Sequence, residues 1–97
     1  MVEAARRMDA LLQKYGYGHV EKILNEWNYV KGWTEEFVYS LEAIHGIKGA
    51  AFTAATMLAL QKTPADMLMY YDARPCAFNG MFDTDIVCKR LKGYYPF

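Results

Sequence analysis

Cysteine is scarce: Cys76 and Cys88 are the only two in 97 residues. Two thiols exclude a disulfide-rich secreted scaffold and read as free thiols of a reducing compartment. There is no Cys-x-x-Cys and no Cys/His quartet, and His19 and His45 have no ligand-like neighbours. No metal and no cofactor is therefore expected. An excess of one charge is also lacking, because eleven basic residues balance eleven acidic ones for a formal net charge of +0. That argues against nucleic acid as a partner, since phosphate neutralisation needs clustered Lys and Arg. No apolar run reaches the roughly 18 residues of a transmembrane helix. Lys, Gln, Glu and Asp interrupt each candidate, so no membrane partner is expected. The start, with Glu3, Arg6 and Arg7 and no apolar stretch, does not read as a signal peptide. The expectation is a cytoplasmic chain or one whose compartment is undefined by this segment. Internal repeats and low-complexity stretches are absent too.

What is present in quantity is apolar surface. The chain is 54% hydrophobic and 15% aromatic, with an ordinary 23% of charged residues, which excludes intrinsic disorder. Ninety-seven residues make one domain at most, and a domain of that size buries only about two-thirds of its unfolded surface. So many large apolar groups on a neutral chain favour self-association, or membership of something larger. The aromatic end Gly93-Tyr94-Tyr95-Pro96-Phe97 reads as a cut rather than a natural terminus.

Along the chain, Val2 to Tyr15 reads as an amphipathic helix with Ala5, Met8, Leu12 and Tyr15 on one face. Gly16 and Gly18 stop it. His19 to Asn25 reads as a short strand, followed by a polar and aromatic loop from Glu26 through Trp33. Thr34 suits a helix N-cap, with Glu35 and Glu36 in the first turn. That helix runs to about His45, a C-terminal dipole partner, and Gly46 ends or bends it. A second helical run spans about Lys48 to Lys62, with Ala50, Ala51, Ala54, Ala55 and Ala59 allowing close packing, and Thr63-Pro64 closes it. Met67 to Tyr71 is apolar without alternation, as in a strand buried on both faces of a parallel sheet. A loop containing Pro75 and Asn79-Gly80 follows, and then a helix-like stretch from Cys88. The six methionines read as core filler. Two strands joined by a long helical crossover make a βαβ unit, so the expected fold class is α/β with a parallel sheet.

In parallel α/β architectures the functional groups gather at the C-terminal ends of strands. Asn25, Glu26, Trp27 and Asn28 stand after the first strand, and Tyr71, Asp72 and Arg74 after the second. A carboxylate among amides and an indole suits carbohydrate chemistry. The carboxylate attacks an anomeric carbon, the indole stacks on a sugar face, and the amides bond hydroxyls. From spacing alone, a strand-end Glu is more often only a helix cap or an ion-pair partner than a catalytic group. Trp33 reads rather as a packing residue at a helix start. Arg74 divides evenly between a substrate hydroxyl or carboxylate and a pairing with Asp72. Spacing leaves open whether Tyr71 lies at the site or in the core.

The run Ile23-Leu24-Asn25-Glu26-Trp27-Asn28 resembles the seventh-strand motif of clan A glycoside hydrolases, closest to family 39, the β-xylosidase and α-L-iduronidase group. An Ala-rich helix, a strand ending Tyr70-Tyr71-Asp72, the turn Asn79-Gly80-Met81-Phe82-Asp83 and the stretch Lys92-Gly93-Tyr94-Tyr95 resemble the same family's last quarter. The resemblance covers nearly the whole chain and implies the C-terminal portion of a (β/α)8 TIM barrel, from its sixth helix into its eighth. It implies a retaining, xylosidase-like glycosidase with Glu26 as nucleophile and a carbohydrate substrate. Asn25, Trp27, Asn28, Tyr71, Asp72 and Arg74 would then bind substrate or support the site. The family's acid/base Glu ends the fourth strand, which is outside these residues, so the segment alone is expected to be inactive. Adjacent strands lie about 4.8 Å apart, which brings Asp72 within reach of Glu26. Asp72 nevertheless reads as a supporting or substrate-binding group, not as the missing acid. The rival expectation is a non-catalytic small α/β interaction protein that self-associates through its exposed apolar surface.

Overall fold

The computed structural model describes residues 1–74, 80–84 and 87–97. The chain is mixed α/β, with helices α1 (Val2–Lys14), α2 (Phe37–His45) and α3 (Ile47–Leu60) and strands β1 (Ile23–Trp27) and β2 (Met67–Tyr70). The two strands pair in parallel, Ile23 with Met67, Leu24 with Leu68 and Trp27 with Tyr70. The expected βαβ crossover is thus present, with α2 and α3 between its strands. Pro75, Cys76 and Asn79 of the expected loop lie outside the described residues.

The first helix ends as glycine placement dictates. Gly16 takes φ +83°, its N–H donates to the Gln13 carbonyl at 3.2 Å, and the Tyr17 N–H reaches back to Leu12 at 2.8 Å. This pair of bonds satisfies carbonyls that a helix end otherwise leaves open. Ala5 is buried and Met8 and Leu12 are half-buried, but Tyr15 at the C-cap is exposed, so it does not belong to the packing face.

Strand β1 starts four residues later than expected and includes Glu26 and Trp27, which the sequence placed in a loop. Residues before it are committed elsewhere. Val20 closes a turn onto the Tyr17 carbonyl, and the Lys22 N–H bonds the Asp66 carboxylate at 2.8 Å where the two strands begin. The Lys22 side chain is itself buried, its ammonium 3.7 Å from Asp9 and 3.8 Å from Asp66 with the Val20 carbonyl at 3.1 Å. This knot ties α1 to the N-terminal ends of both strands.

Helix α2 begins at Phe37 instead of Thr34, and no side chain caps it; the Thr34 carbonyl accepts only a turn bond from Phe37. Gly46 does separate the helices, which meet at a bend of 77°. The packing face of α3 differs from the alanine stripe expected. Gly49, Ala50, Thr53, Thr56 and Leu60 are buried, whereas Ala51, Ala55 and Ala59 are exposed. Threonines at helical spacing from Ala50 and Leu60 supply the interior face together with Ser40 and Ile44 of α2. Among the described residues no single helix is long and apolar enough to cross a membrane; α2 and α3 reach that length only together, across the bend.

Strand β2 is not buried on both faces. Met67 and Met69 are 41% and 46% exposed, while Leu68 and Tyr70 are half-buried. Ile23 of β1 is exposed beside Met67. The reason is that one face of this two-stranded sheet is open, so strand alternation appears that the apolar run concealed. The stretch after Cys88 is not a helix. Phe82 and Arg90 form an antiparallel bridge, the Leu91 N–H donates to Met81 at 2.7 Å, and only a 3-10 turn follows at Lys92–Tyr94.

Candidate functional site

The C-terminal end of β1 carries a β-bulge. Three steps of β1, from Leu24 to Trp27, match two of β2, from Leu68 to Tyr70. Strict alternation would set Glu26 opposite Tyr70; the extra residue puts Trp27 there instead. Trp27 becomes a core residue, 6% exposed, with its ring edge-to-face on Tyr70 at 5.3 Å. Glu26 is turned out into the left-handed region at φ +58° and is exposed. An acidic residue with positive φ is uncommon, and such backbone is concentrated at ligand and catalytic sites.

The two strand ends are fastened together just beyond the bulge. The Tyr71 N–H donates to the Trp27 carbonyl at 2.9 Å, and the Asn28 amide Nδ2 donates to the Tyr71 carbonyl. Asp72 accepts from the Arg74 guanidinium Nε at 2.7 Å and from the Arg74 backbone N–H at 3.1 Å. The Arg74 guanidinium also donates to the Tyr71 hydroxyl at 3.3 Å.

A concavity of about 550 Å³ opens over these residues. Glu26, Asn28 and Tyr71 form its polar lining, and Leu24, Val30, Met1 and the two indoles Trp27 and Trp33 its apolar lining. Its size falls within the range of small-molecule sites. Of the residues singled out in the sequence, Glu26, Trp27, Asn28 and Tyr71 meet at this concavity. Asn25, Asp72 and Arg74 are not on its lining. The pairing of Arg74 with Asp72 is the one the structure adopts, and Tyr71 lies at the rim, 38% exposed. Trp27 lines the wall with little surface to offer, and its Nε1 is buried without a hydrogen-bond partner among the described residues. Trp33 is 69% exposed, with its ring 6.4 Å from that of Phe37, the first residue of α2. The helix it was to begin starts at Phe37, which leaves Trp33 on the connecting segment at the concavity.

Sequence reading also passed over a second polar cluster. Tyr39 of α2 accepts a hydrogen bond from the Lys48 ammonium, and Lys31 and Lys48 lie 5.4 Å and 5.0 Å from its ring. The Lys48 bond, and then the Tyr29 hydroxyl, hold the Tyr39 phenol below the usual tyrosine range. Donation to Tyr39, together with burial, holds Tyr29 above it. Lys31 pairs with Glu36 at 2.8 Å, which raises its ammonium. Among the described residues no group of three or more His, Cys, Asp or Glu side chains converges to hold a metal ion. No family model matches the chain, and neither a curated protein nor a solved structure matches it significantly.

Proposed function

We propose that this chain is the nucleophile-bearing, C-terminal part of a (β/α)8 barrel of a retaining, xylosidase-like glycoside hydrolase similar to family 39. The observation that carries the reading is Glu26, held in left-handed backbone on a bulge at the C-terminal end of a parallel strand, at the edge of a concavity with Asn28, Tyr71 and Trp33. In the proposed reaction the Glu26 carboxylate attacks the anomeric carbon of an O-glycoside. The bond to the aglycone oxygen breaks, and that oxygen takes a proton from a carboxylic acid about 5–5.5 Å away. Water then cleaves the glycosyl ester, giving up a proton to the same acid and restoring Glu26. Asp72 is a poor candidate for that acid, because it is paired with the Arg74 guanidinium at 2.7 Å and is not on the lining of the concavity. The acid is assigned to a strand outside these 97 residues, which makes the segment inactive by itself. Asn28 orients the strand ends through Tyr71.

In the complete barrel, Glu26→Gln is expected to lower turnover by several orders of magnitude with the fold unchanged. The amide keeps the shape of the carboxylate but cannot form the ester. A 2-deoxy-2-fluoro glycoside with an activated leaving group is expected to label Glu26, detected by peptide mapping. An adduct on Asp72 or another carboxylate, with Glu26→Gln still active, would overturn the assignment. The second reading, a non-catalytic self-associating α/β protein, draws on the open sheet face of Ile23, Met67 and Met69. Labelling of Glu26 excludes it.

A further inference from the structure

Tyr71 stands at the rim of the concavity with its hydroxyl half engaged. Its oxygen accepts from the Arg74 guanidinium Nη2 at 3.3 Å. A guanidinium only donates, so the phenol bonded to it still has its own proton to give. Among the described residues that O–H meets no acceptor. Arg74 is itself fixed. Its Nε donates to Asp72 Oδ2 at 2.7 Å and its backbone N–H to Asp72 Oδ1 at 3.1 Å, so both oxygens of one carboxylate serve one residue. The Asp72 side chain is 16% exposed and that of Arg74 71%. The carboxylate is thus the anchored member, and the guanidinium spans from it to the Tyr71 hydroxyl. The Tyr71 main chain is located separately, by the Trp27 carbonyl on its N–H and the Asn28 amide on its carbonyl. Tyr71 lines the concavity with Glu26 and Asn28, whereas Asp72 and Arg74 stand behind it.

We infer that Arg74, anchored by Asp72, is a positioning residue that makes the Tyr71 hydroxyl a dedicated hydrogen-bond donor to a hydroxyl oxygen of the sugar beside Glu26. The inference rests on the glycosidase reading and adds to it a specificity-determining donor and the pair that sets it. An unengaged phenol turns between donating and accepting, and so takes either kind of partner. With Arg74 on its oxygen, Tyr71 offers its proton, and the first bond of the chain polarises the second. The subsite then selects a sugar carbon that bears a hydroxyl, because a donor covered by ligand and left unpaired is costly.

A double-mutant cycle in the complete barrel tests this, with 4-nitrophenyl β-D-xylopyranoside as substrate and kcat/KM as the readout. Tyr71→Phe keeps the ring, removes the donor and is expected to lower kcat/KM about tenfold. Arg74→Met is expected to lower it nearly as far. The double variant is expected to fall no further than Tyr71→Phe alone, since Arg74 acts through the hydroxyl. A residue that only supports the fold would cost the same in either background. Additive losses, or either single variant at the wild-type value, would overturn the inference. Asp72→Asn reaches the same link with an amide of the same shape, and its loss is expected only where Tyr71 is present; an equal loss in Tyr71→Phe would also overturn it. The 2-, 3- and 4-deoxy analogues of the substrate check the acceptor. The Tyr71→Phe penalty is expected to disappear with one of the three, and a penalty kept with all of them would refute the sugar contact. Failure of the nucleophile assignment shows elsewhere, as an adduct on a carboxylate other than Glu26, and leaves a non-additive cycle standing. Turnover with Glu26 labelled and an additive cycle removes the inference alone. A complete barrel that hydrolyses no xyloside removes the glycosidase reading and this inference with it.

Discussion

At the scale of single residues, the backbone of Glu26 carries a cost. A non-glycine residue in left-handed conformation gives up about 1–2 kcal/mol relative to ordinary backbone, and Glu26 holds φ +58° inside a strand. Glycine adopts that conformation without strain but loses more entropy on folding, about 0.5–1 kcal/mol. Glu26→Gly is therefore expected to raise stability by about 0.5–1 kcal/mol, read as a higher urea midpoint at unchanged slope and fixed protein concentration. A lower midpoint would show that the carboxylate supports the fold. The Tyr39 cluster gives a titration. Its folded value lies below the ordinary one because the Lys48 ammonium, and then Tyr29, donate to its oxygen. A depressed acid adds stability that is present above its unfolded value and lost as pH falls through the folded one. Lys48 is raised by the same bond, so its contribution is present below its unfolded value and lost as pH rises through its folded value. The two effects overlap while Tyr39 is ionised and Lys48 still charged, a window around pH 10. Phenolate absorbance is expected to show one early-titrating tyrosine that Tyr39→Phe removes and Lys48→Met moves upward. An unchanged titration curve in Tyr39→Phe would refute the assignment.

At the scale of elements, the C-terminal segment is seated by two glycines. Gly80 takes φ +67°, and a Cβ there would stand 2.7 Å from the Ile44 carbonyl and 2.8 Å from the Tyr70 hydroxyl. Gly93 lies directly against Gly80, such that a Cβ on it would collide with the Gly80 carbonyl oxygen. Backbone thus packs on backbone where the 3-10 turn meets α2 and the end of β2, and Phe97 completes the contact edge-to-face on Tyr70 at 5.4 Å. Gly80→Ala combines left-handed strain with overlap against main chain that has little room to move. It is expected to cost about 2–4 kcal/mol, whereas Gly16→Ala, with open space at its Cβ, pays only the strain of φ +83°. Thermal unfolding of the two variants side by side tests this, and equal losses would show that the Gly80–Gly93 contact is dispensable.

At the scale of the whole molecule, the chain is less compact than its length allows. Its radius of gyration is 15.2 Å, with extents of 49 × 28 × 19 Å. A compact domain of this length has a radius near 12.5 Å, about 2.2·N^0.38. The excess goes with a sheet that has two strands among the described residues, with no further strand on its outer edges there, and whose Ile23, Met67 and Met69 face is exposed. Unpaired strand edges beside apolar surface recruit other chains, and a net charge of zero offers no repulsion against it. The isolated chain is accordingly expected to self-associate at micromolar concentration, seen by light scattering as a mass above 11.2 kDa that rises with concentration. A monodisperse monomer with a cooperative melt would contradict both this expectation and the barrel reading.

The sequence by itself determined the order of the elements as far as β2 and the parallel sheet, because glycine stops, helical spacing and a long crossover are local signals. It also determined that Glu26, Trp27, Asn28 and Tyr71 fall at strand ends, since that follows from position in a βαβ unit. The bulge was beyond its reach: whether Glu26 or Trp27 faces Tyr70 depends on how β1 registers against a strand about forty residues away. The same holds for Trp33, whose exposure follows from a helix that begins three residues after the apparent cap at Thr34. The open face of β2 could not be read from Met67-Leu68-Met69-Tyr70 either, for a run of four apolar residues is compatible with cover on one side or both. Local chemistry sets what each residue prefers. Pairing across the sheet, a long-range contact, decides which of them is left facing the concavity.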